Sequence, residues 1–194
     1  MKKRLILLFS TFFILISCKK IIDSTSSLGK EDVKKEDLKS YVVNKDYSIA
    51  VPKYMTEMKS LNEDASFQYA NIYKEVYTIV IDEDKKEFIN AFKSIEIYND
   101  SLSPIENYTD YQIKSFQETL GSKYVNELDF KIKNLSTKQY ELNGLIEGIN
   151  ASYLIGFVES KDKMYMIMSW TIENRYKKYK DTFRLIQNSF KLQN

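Results

Sequence analysis

Histidine is absent from this chain of 194 residues, cysteine occurs once, and proline and glycine are scarce at 2 and 5. Each shortage removes chemistry. Without histidine there is no Ser-His-Asp or Cys-His nucleophile pair, no His-based zinc site and no imidazole acid–base group near neutrality. A single cysteine leaves the folded part without disulfides, so the core alone must hold it together. Carboxylates, Lys, Tyr, Ser and Thr are the only candidates left for catalysis. The expectation is a protein that is not an enzyme, with no catalytic, metal-binding or cofactor-binding residues. Hydrophobic residues nevertheless make up 43% and aromatics 14%, too much for a disordered chain.

The one cysteine, Cys18, has a telling position. Lys2-Lys3-Arg4 precedes a mostly apolar run, Leu5 to Ile16, which ends in Leu15-Ile16-Ser17-Cys18. A spanning helix needs about 17–25 apolar residues, so this shorter run reads as a removable signal with its basic start held on the cytoplasmic side. Leu15-Ile16-Ser17-Cys18 resembles the bacterial lipobox, departing from it only in the bulk of Ile16. The resemblance implies a lipoprotein: a diacylglyceryl group on the Cys18 thiol, cleavage of residues 1–17, and fatty acylation (palmitate, for example) of the new amino group. The alternatives are an ordinary signal peptide or a short signal anchor. By analogy with sorting signals, Lys19-Lys20 point to the periplasmic face of the outer membrane where the organism has one.

Cleavage also changes the charge. Full length carries 29 basic against 27 acidic residues; losing Lys2, Lys3 and Arg4 leaves 26 against 27, a net charge of −1 in place of +2. No electrostatic case for nucleic acid survives. The expected contacts are the membrane, through lipid at Cys18, and an envelope protein partner.

Residues 18–40 read as the acylated N-terminus and a flexible tether, and residues 41–194 as one domain. The stretch 19–40 lacks aromatics and alternates lysines with acids, and fully extended it reaches about 70–80 Å. The alternative for its second half is a first helix over Glu31–Lys39. From Tyr41 onward the chain is patterned throughout. Tyr47–Pro52 alternates and stops at proline, a strand. Ser66–Tyr73 and Val76–Ile81 are the next two, as a hairpin. Asp82-Glu83-Asp84 opens a helix running from Glu83 to Phe92. Ser103 as cap, Pro104 behind it and Gly121 just past the end frame a helix to Leu120. Phe130–Leu135 and Lys138–Leu142 look extended, with Asn143-Gly144 as a tight-turn signal. Ile149–Phe157 and Met164–Ile172 alternate as a hairpin around Glu159–Lys163, each strand with one buried face. Tyr176, Tyr179, Phe183, Ile186 and Phe190 mark a final amphipathic helix, Glu173 to Leu192. This order is α+β, an antiparallel sheet covered by helices.

The opening Tyr47-Ser48-Ile49-Ala50-Val51-Pro52, the long hairpin and the closing Ile186-Gln187-Asn188-Ser189-Phe190 resemble the domain of PsbP extrinsic subunits of photosystem II and their DcrB-type lipoprotein relatives. The yeast Ran-binding protein of the same fold belongs with them. That resemblance implies an α/β/α sandwich of PsbP-like type over about residues 41–194, and a class of mostly non-enzymatic assembly and adaptor proteins. It carries over no binding residue.

Three local groups have competing readings. Asp82-Glu83-Asp84 is either a cation site or a charged helix start; Lys86 stands where a calcium loop wants its third ligand. Met164, Met166 and Met168 are either copper(I) ligands or core fillers. Tyr69, Tyr73 and Tyr77 are either a glycan-binding surface or sheet packing. The leading expectation is a non-catalytic binding or accessory subunit of a membrane-linked assembly. A ligand- or glycan-binding lipoprotein using the tyrosines is the second reading, and a carboxylate-based hydrolase the third.

Overall fold

Long strands of β-branched and aromatic residues dominate the second half of the chain, and they build the centre of the molecule. A computed structural model describes residues 29–146 and 148–193; Cys18 and the expected signal before it lie outside the described residues. The strands are β1 (Leu38–Val43), β2 (Tyr47–Pro52), β3 (Thr56–Glu57), β4 (Ala65–Asn71), β5 (Val76–Asp84), β6 (Val125–Leu128), β7 (Ser136–Ile146), β8 (Ile149–Glu159), β9 (Lys163–Ile172) and β10 (Lys191–Leu192). The helices are α1 (Lys85–Ser94), α2 (Pro104–Leu120) and α3 (Glu173–Asn188). Seven strands form an antiparallel sheet in the order β3-β4-β5-β9-β8-β7-β6, and β1-β2-β10 form a small second sheet. The α+β class is as the sequence pattern requires.

Both faces of the large sheet are covered. Ile79, Tyr153, Ile155, Phe157, Met164, Met166 and Met168 pack beneath α1 and α2, against Phe88, Tyr108, Ile113 and Leu120. The opposite face carries Phe67, Val76, Val80, Leu154, Val158 and Ile167 under α3 and the small sheet, against Tyr47, Ile49, Tyr179, Phe183 and Ile186. This double cover corrects the expectation of one buried face for β8 and β9. Ala151 to Val158 are buried without interruption, because a central strand between two helical layers has no wet side.

Two glycines within strands admit neighbouring elements, and sequence spacing misassigns the first of them. Asn143-Gly144 is not a turn but mid-strand in β7, where Gly144 pairs with Ala151. A Cβ there would lie 2.5 Å from Leu120 Cβ, so the glycine admits the end of α2 against the sheet. The β7–β8 reversal falls later, beyond the Ile146–Ile149 pair, with Gly148 at φ +81. In β8, a Cβ on Gly156 would meet Gln187 Oε1 at 2.6 Å and the Phe130 ring at 3.2 Å. Phe130 itself begins no strand: residues 129–135 form a loop that turns this ring into the α3-side core. The loop closes locally, Thr137 Oγ1 donating to the Phe130 carbonyl at 2.5 Å.

The ends of the chain also differ from the pattern. Residues 31–40 were expected as tether or helix, yet a short 3₁₀ turn (Lys35–Asp37) leads into β1, which pairs with β2 along its whole length. The backbone amide of Glu31 donates to the Lys178 carbonyl in α3 at 3.0 Å, so the folded part begins well before Tyr41. At the other end α3 stops at Asn188 instead of reaching Leu192. Ser189 Oγ accepts from the Ala50 amide at 2.8 Å and donates to the Ile186 carbonyl at 2.5 Å. That redirects the chain, places Phe190 against Tyr47 and Tyr165, and lets β10 pair with β2.

Candidate functional site

Strand alternation separates the three adjacent acids at the end of β5. Asp82 points to the α3 side and meets Lys163 Nζ at 2.7 Å, which also holds Asp46 at 2.5 Å. Glu83 points to the other side, accepting the Tyr108 hydroxyl at 2.7 Å. Burial pushes its carboxyl above the ordinary range, while the tyrosine's hydrogen bond partly offsets that. Asp84 is the cap of α1, accepting from the amides of Lys86 and Glu87 at 2.8 and 2.9 Å. The helix therefore starts at Lys85, after the acids. Among the described residues no three His, Cys, Asp or Glu side chains are arranged to hold a metal ion.

Lys163 is the hub of this end of the sheet. Its hydrogen bonds to Asp46 and Asp82 raise its pKa above the usual lysine range, and they tie the β1–β2 turn to β5 and β9. Beside it, Lys85 Nζ bonds Glu159 at 3.0 Å and the Ser160 carbonyl at 2.9 Å. The carboxylates here neutralise lysines and cap a helix.

The methionine row is core: Met164 and Met168 are fully buried and Met166 nearly so, with Trp170 continuing the face. The tyrosine row comes apart. Tyr69 pairs with Thr78 and stacks on Phe67 on the α3 side, whereas Tyr77 stacks on Trp170 at 5.1 Å on the other side. Burial lifts the Tyr69 phenol to about 12. Tyr73 sits in the turn between them, 88% exposed.

A cleft of about 750 Å³ opens under the loop between β6 and β7. Residues between Glu127 and Lys138 line it, with Lys131 against Asp129 and no tyrosine among the lining residues. Lys138 is already bonded to Glu127 at 2.8 Å.

The group that sequence reasoning missed is centred on Glu31. Its carboxylate accepts from Tyr54 Oη at 2.7 Å, Thr182 Oγ1 at 3.0 Å and Lys74 Nζ at 3.1 Å, and Lys74 lies over the Tyr54 ring. Next to it Lys30 bonds Asp181 at 2.8 Å, which holds the Asp181 carboxyl below its ordinary value. These contacts fasten the start of the described chain to α3 and to the β4–β5 turn. The same end of the large sheet exposes Ile72, Tyr73, Leu145 and Ile149.

The chain matches no protein-family model and no curated protein. Its likeness to solved structures is in three dimensions. The solution structure of cyanobacterial PsbP (CyanoP) from Synechocystis sp. PCC 6803 superposes with a TM-score of 0.55 at 13% identity, over 85% of this chain and 98% of that one. A protein from Bacteroides thetaiotaomicron gives 0.51 at 9% identity, over 81% of this chain and 49% of that one. LpqN of Mycobacterium tuberculosis, described as involved in cell envelope biogenesis, gives 0.46 at 10% identity. The fold is PsbP-like.

Proposed function

We propose that the protein is an envelope lipoprotein, acylated at Cys18, whose domain works by binding, as a non-catalytic accessory subunit of a membrane-linked assembly. The observation that carries this reading is the sequence Leu15-Ile16-Ser17-Cys18 at the end of a short apolar run behind three basic residues. Two or more acyl chains on such a cysteine anchor stably where one does not, each buried methylene adding about 0.8 kcal/mol. Among the described residues no helix is long and apolar enough to cross a membrane; this reading puts the covalent anchor at Cys18. The periplasmic face of an outer membrane, where there is one, is the proposed location, and an envelope protein the proposed partner.

The geometry of the polar groups supports binding over catalysis. Asp82, Glu83 and Asp84 diverge into an ion pair, a tyrosine hydrogen bond and a helix cap, and the two carboxylates that line the cleft, Glu127 and Asp129, are each engaged by a lysine, Lys138 and Lys131. The tyrosines divide between the two faces of the sheet, which weakens the glycan-surface reading. The PsbP-like fold fits a class of assembly and adaptor proteins.

Metabolic labelling with an alkyne fatty acid tests the anchor. The natural chain is expected to take up label and sediment with membranes, and Cys18→Ala to lose both; a variant that keeps them overturns acylation at Cys18. Crosslinking in intact cells followed by pull-down tests the partner. A discrete adduct is expected, and recovery of the free protein alone counts against an accessory role.

A further inference from the structure

We infer that the end of the large sheet bearing Ile72, Tyr73, Leu145 and Ile149 rests on the bilayer to which the chain is anchored, so that the domain has a fixed orientation on the membrane. This deepens the lipid-anchor reading and depends on it.

The registers bring the four residues to one end of the sheet. Tyr77 pairs with Trp170 and Trp170 with Tyr153, a common rung across β5, β9 and β8. Ile72 and Tyr73 follow Asn71, which pairs with Val76 one residue beyond that rung. Leu145 pairs with Asn150, three residues beyond it, and Ile149 pairs with Ile146. The β4–β5 and β7–β8 turns therefore project in the same direction from strands about 14 Å apart across the sheet. Exposures of 56% for Ile72, 88% for Tyr73, 55% for Leu145 and 56% for Ile149 leave much of this apolar surface in water.

The course of the chain selects the bilayer as occupant. Glu31 bonds Lys74 inside the β4–β5 turn, so the described chain starts at this end. From Cys18 to Lys30 is twelve residues, which span at most about 40 Å. That is roughly half the reach expected of a tether running to Ser40, and it starts beside the exposed turns. Four side chains divided between two turns bind lipid weakly alone. Held close by the acyl anchor, they meet the surface at high effective concentration, with tyrosine at headgroup depth and Ile and Leu just below it. The opposite end, where Lys163 and Lys85 hold Asp46, Asp82 and Glu159, faces away.

The lone cysteine makes a clean test, because acylation of Cys18 blocks its thiol. Full-length Tyr73→Cys, Ile149→Cys and Lys161→Cys chains, the last in the β8–β9 turn, are purified from membranes and labelled with an environment-sensitive fluorophore. They are then placed in phosphatidylethanolamine–phosphatidylglycerol vesicles containing a spin-labelled quencher lipid. Quenching at 73 and 149 is expected to exceed that at 161 by at least about twofold, as interfacial burial requires. Equal quenching, or more at 161, in a protein that carries fatty acid overturns the orientation and leaves the anchor standing. A chain that carries no fatty acid overturns both. Thermal melts of the labelled chains identify any variant that has lost its fold, and a folded Tyr73→Cys chain then decides alone.

Discussion

The two ends of the central sheet are finished in opposite ways. At one end four chain reversals and a helix start converge, and polar groups are paired across them: Lys163 with Asp46 and Asp82, Lys85 with Glu159, and Asp84 with the first amides of α1. At the other end the turns carry Ile72, Tyr73, Leu145 and Ile149 into solvent, and the polar contacts gather around Glu31, where the N-terminal segment docks. Both ends have short turns between strands of the same large sheet, and the longer loops 58–64 and 129–135 lie at the ion-paired end, so turn length alone does not account for the difference. It is a difference of surface chemistry, and it gives the domain a polarity that its net charge does not reveal.

The sharpest way to break this comparison is at the ion-paired end. Lys163→Met keeps the length of the side chain but leaves Asp82, whose side chain is 12% exposed, and Asp46 without their cation. Two carboxylates side by side without compensation are expected to cost about 2 kcal/mol, less than for a fully buried pair because water reaches the group. Urea unfolding should show a lower midpoint at unchanged slope. A midpoint equal to that of the natural chain would mean that Lys163 decorates this end and does not hold it together.

A smaller effect is expected where the N-terminal segment docks. Glu31→Ala removes the acceptor shared by Tyr54, Thr182 and Lys74, and about 1 kcal/mol should be lost, since the half-exposed Lys74 can rehydrate while the buried Thr182 hydroxyl loses its acceptor. The local consequence is more diagnostic than the global one. Limited proteolysis should gain a cut between residues 30 and 40 while residues 41–193 stay protected. Unchanged protection would show that β1 pairing alone holds the segment.

Legibility in the sequence divides along the same physical line. Features set by neighbours in the chain are readable. Ser103, Pro104 and Gly121 frame α2, where Ser103 and Glu106 form the reciprocal cap and Gly121 takes the left-handed φ of +60. The alternation of Met164 to Ile172 marks β9, and that of Tyr47 to Pro52 marks β2. Features set by distant contacts are not. Gly144 reads as a turn glycine because the demand for a missing side chain comes from Leu120, in another element. Ser189 looks like one more helical residue until its bond to Ala50 is known. Glu31 stands in a run of mixed charge with no periodicity, and its partners lie 23, 43 and 151 positions away. The exposed turns were invisible for a related reason: Ile149 reads as an ordinary strand residue and Leu145 only follows the expected Asn143-Gly144 turn, until the true position of the β7–β8 reversal puts both at its flanks.

The smallest expected effect on stability is the most informative about the comparison. Tyr73→Ser, Leu145→Ser and Ile149→Ser together remove most of the exposed apolar surface of the two turns, only Ile72 of the four remaining, without touching either core cluster. Side chains that are more than half exposed in the native state lose little transfer free energy on truncation, so the triple variant should unfold within about 0.5 kcal/mol of the natural chain. Residues kept for packing would behave otherwise, since large-to-small changes in a core cost about 2–5 kcal/mol each. A loss of that size in chemical denaturation would make these turns a third patch of core and dissolve the contrast between the two ends. A negligible loss leaves their exposed apolar surface unexplained by folding, which is the condition a surface kept for contact has to meet.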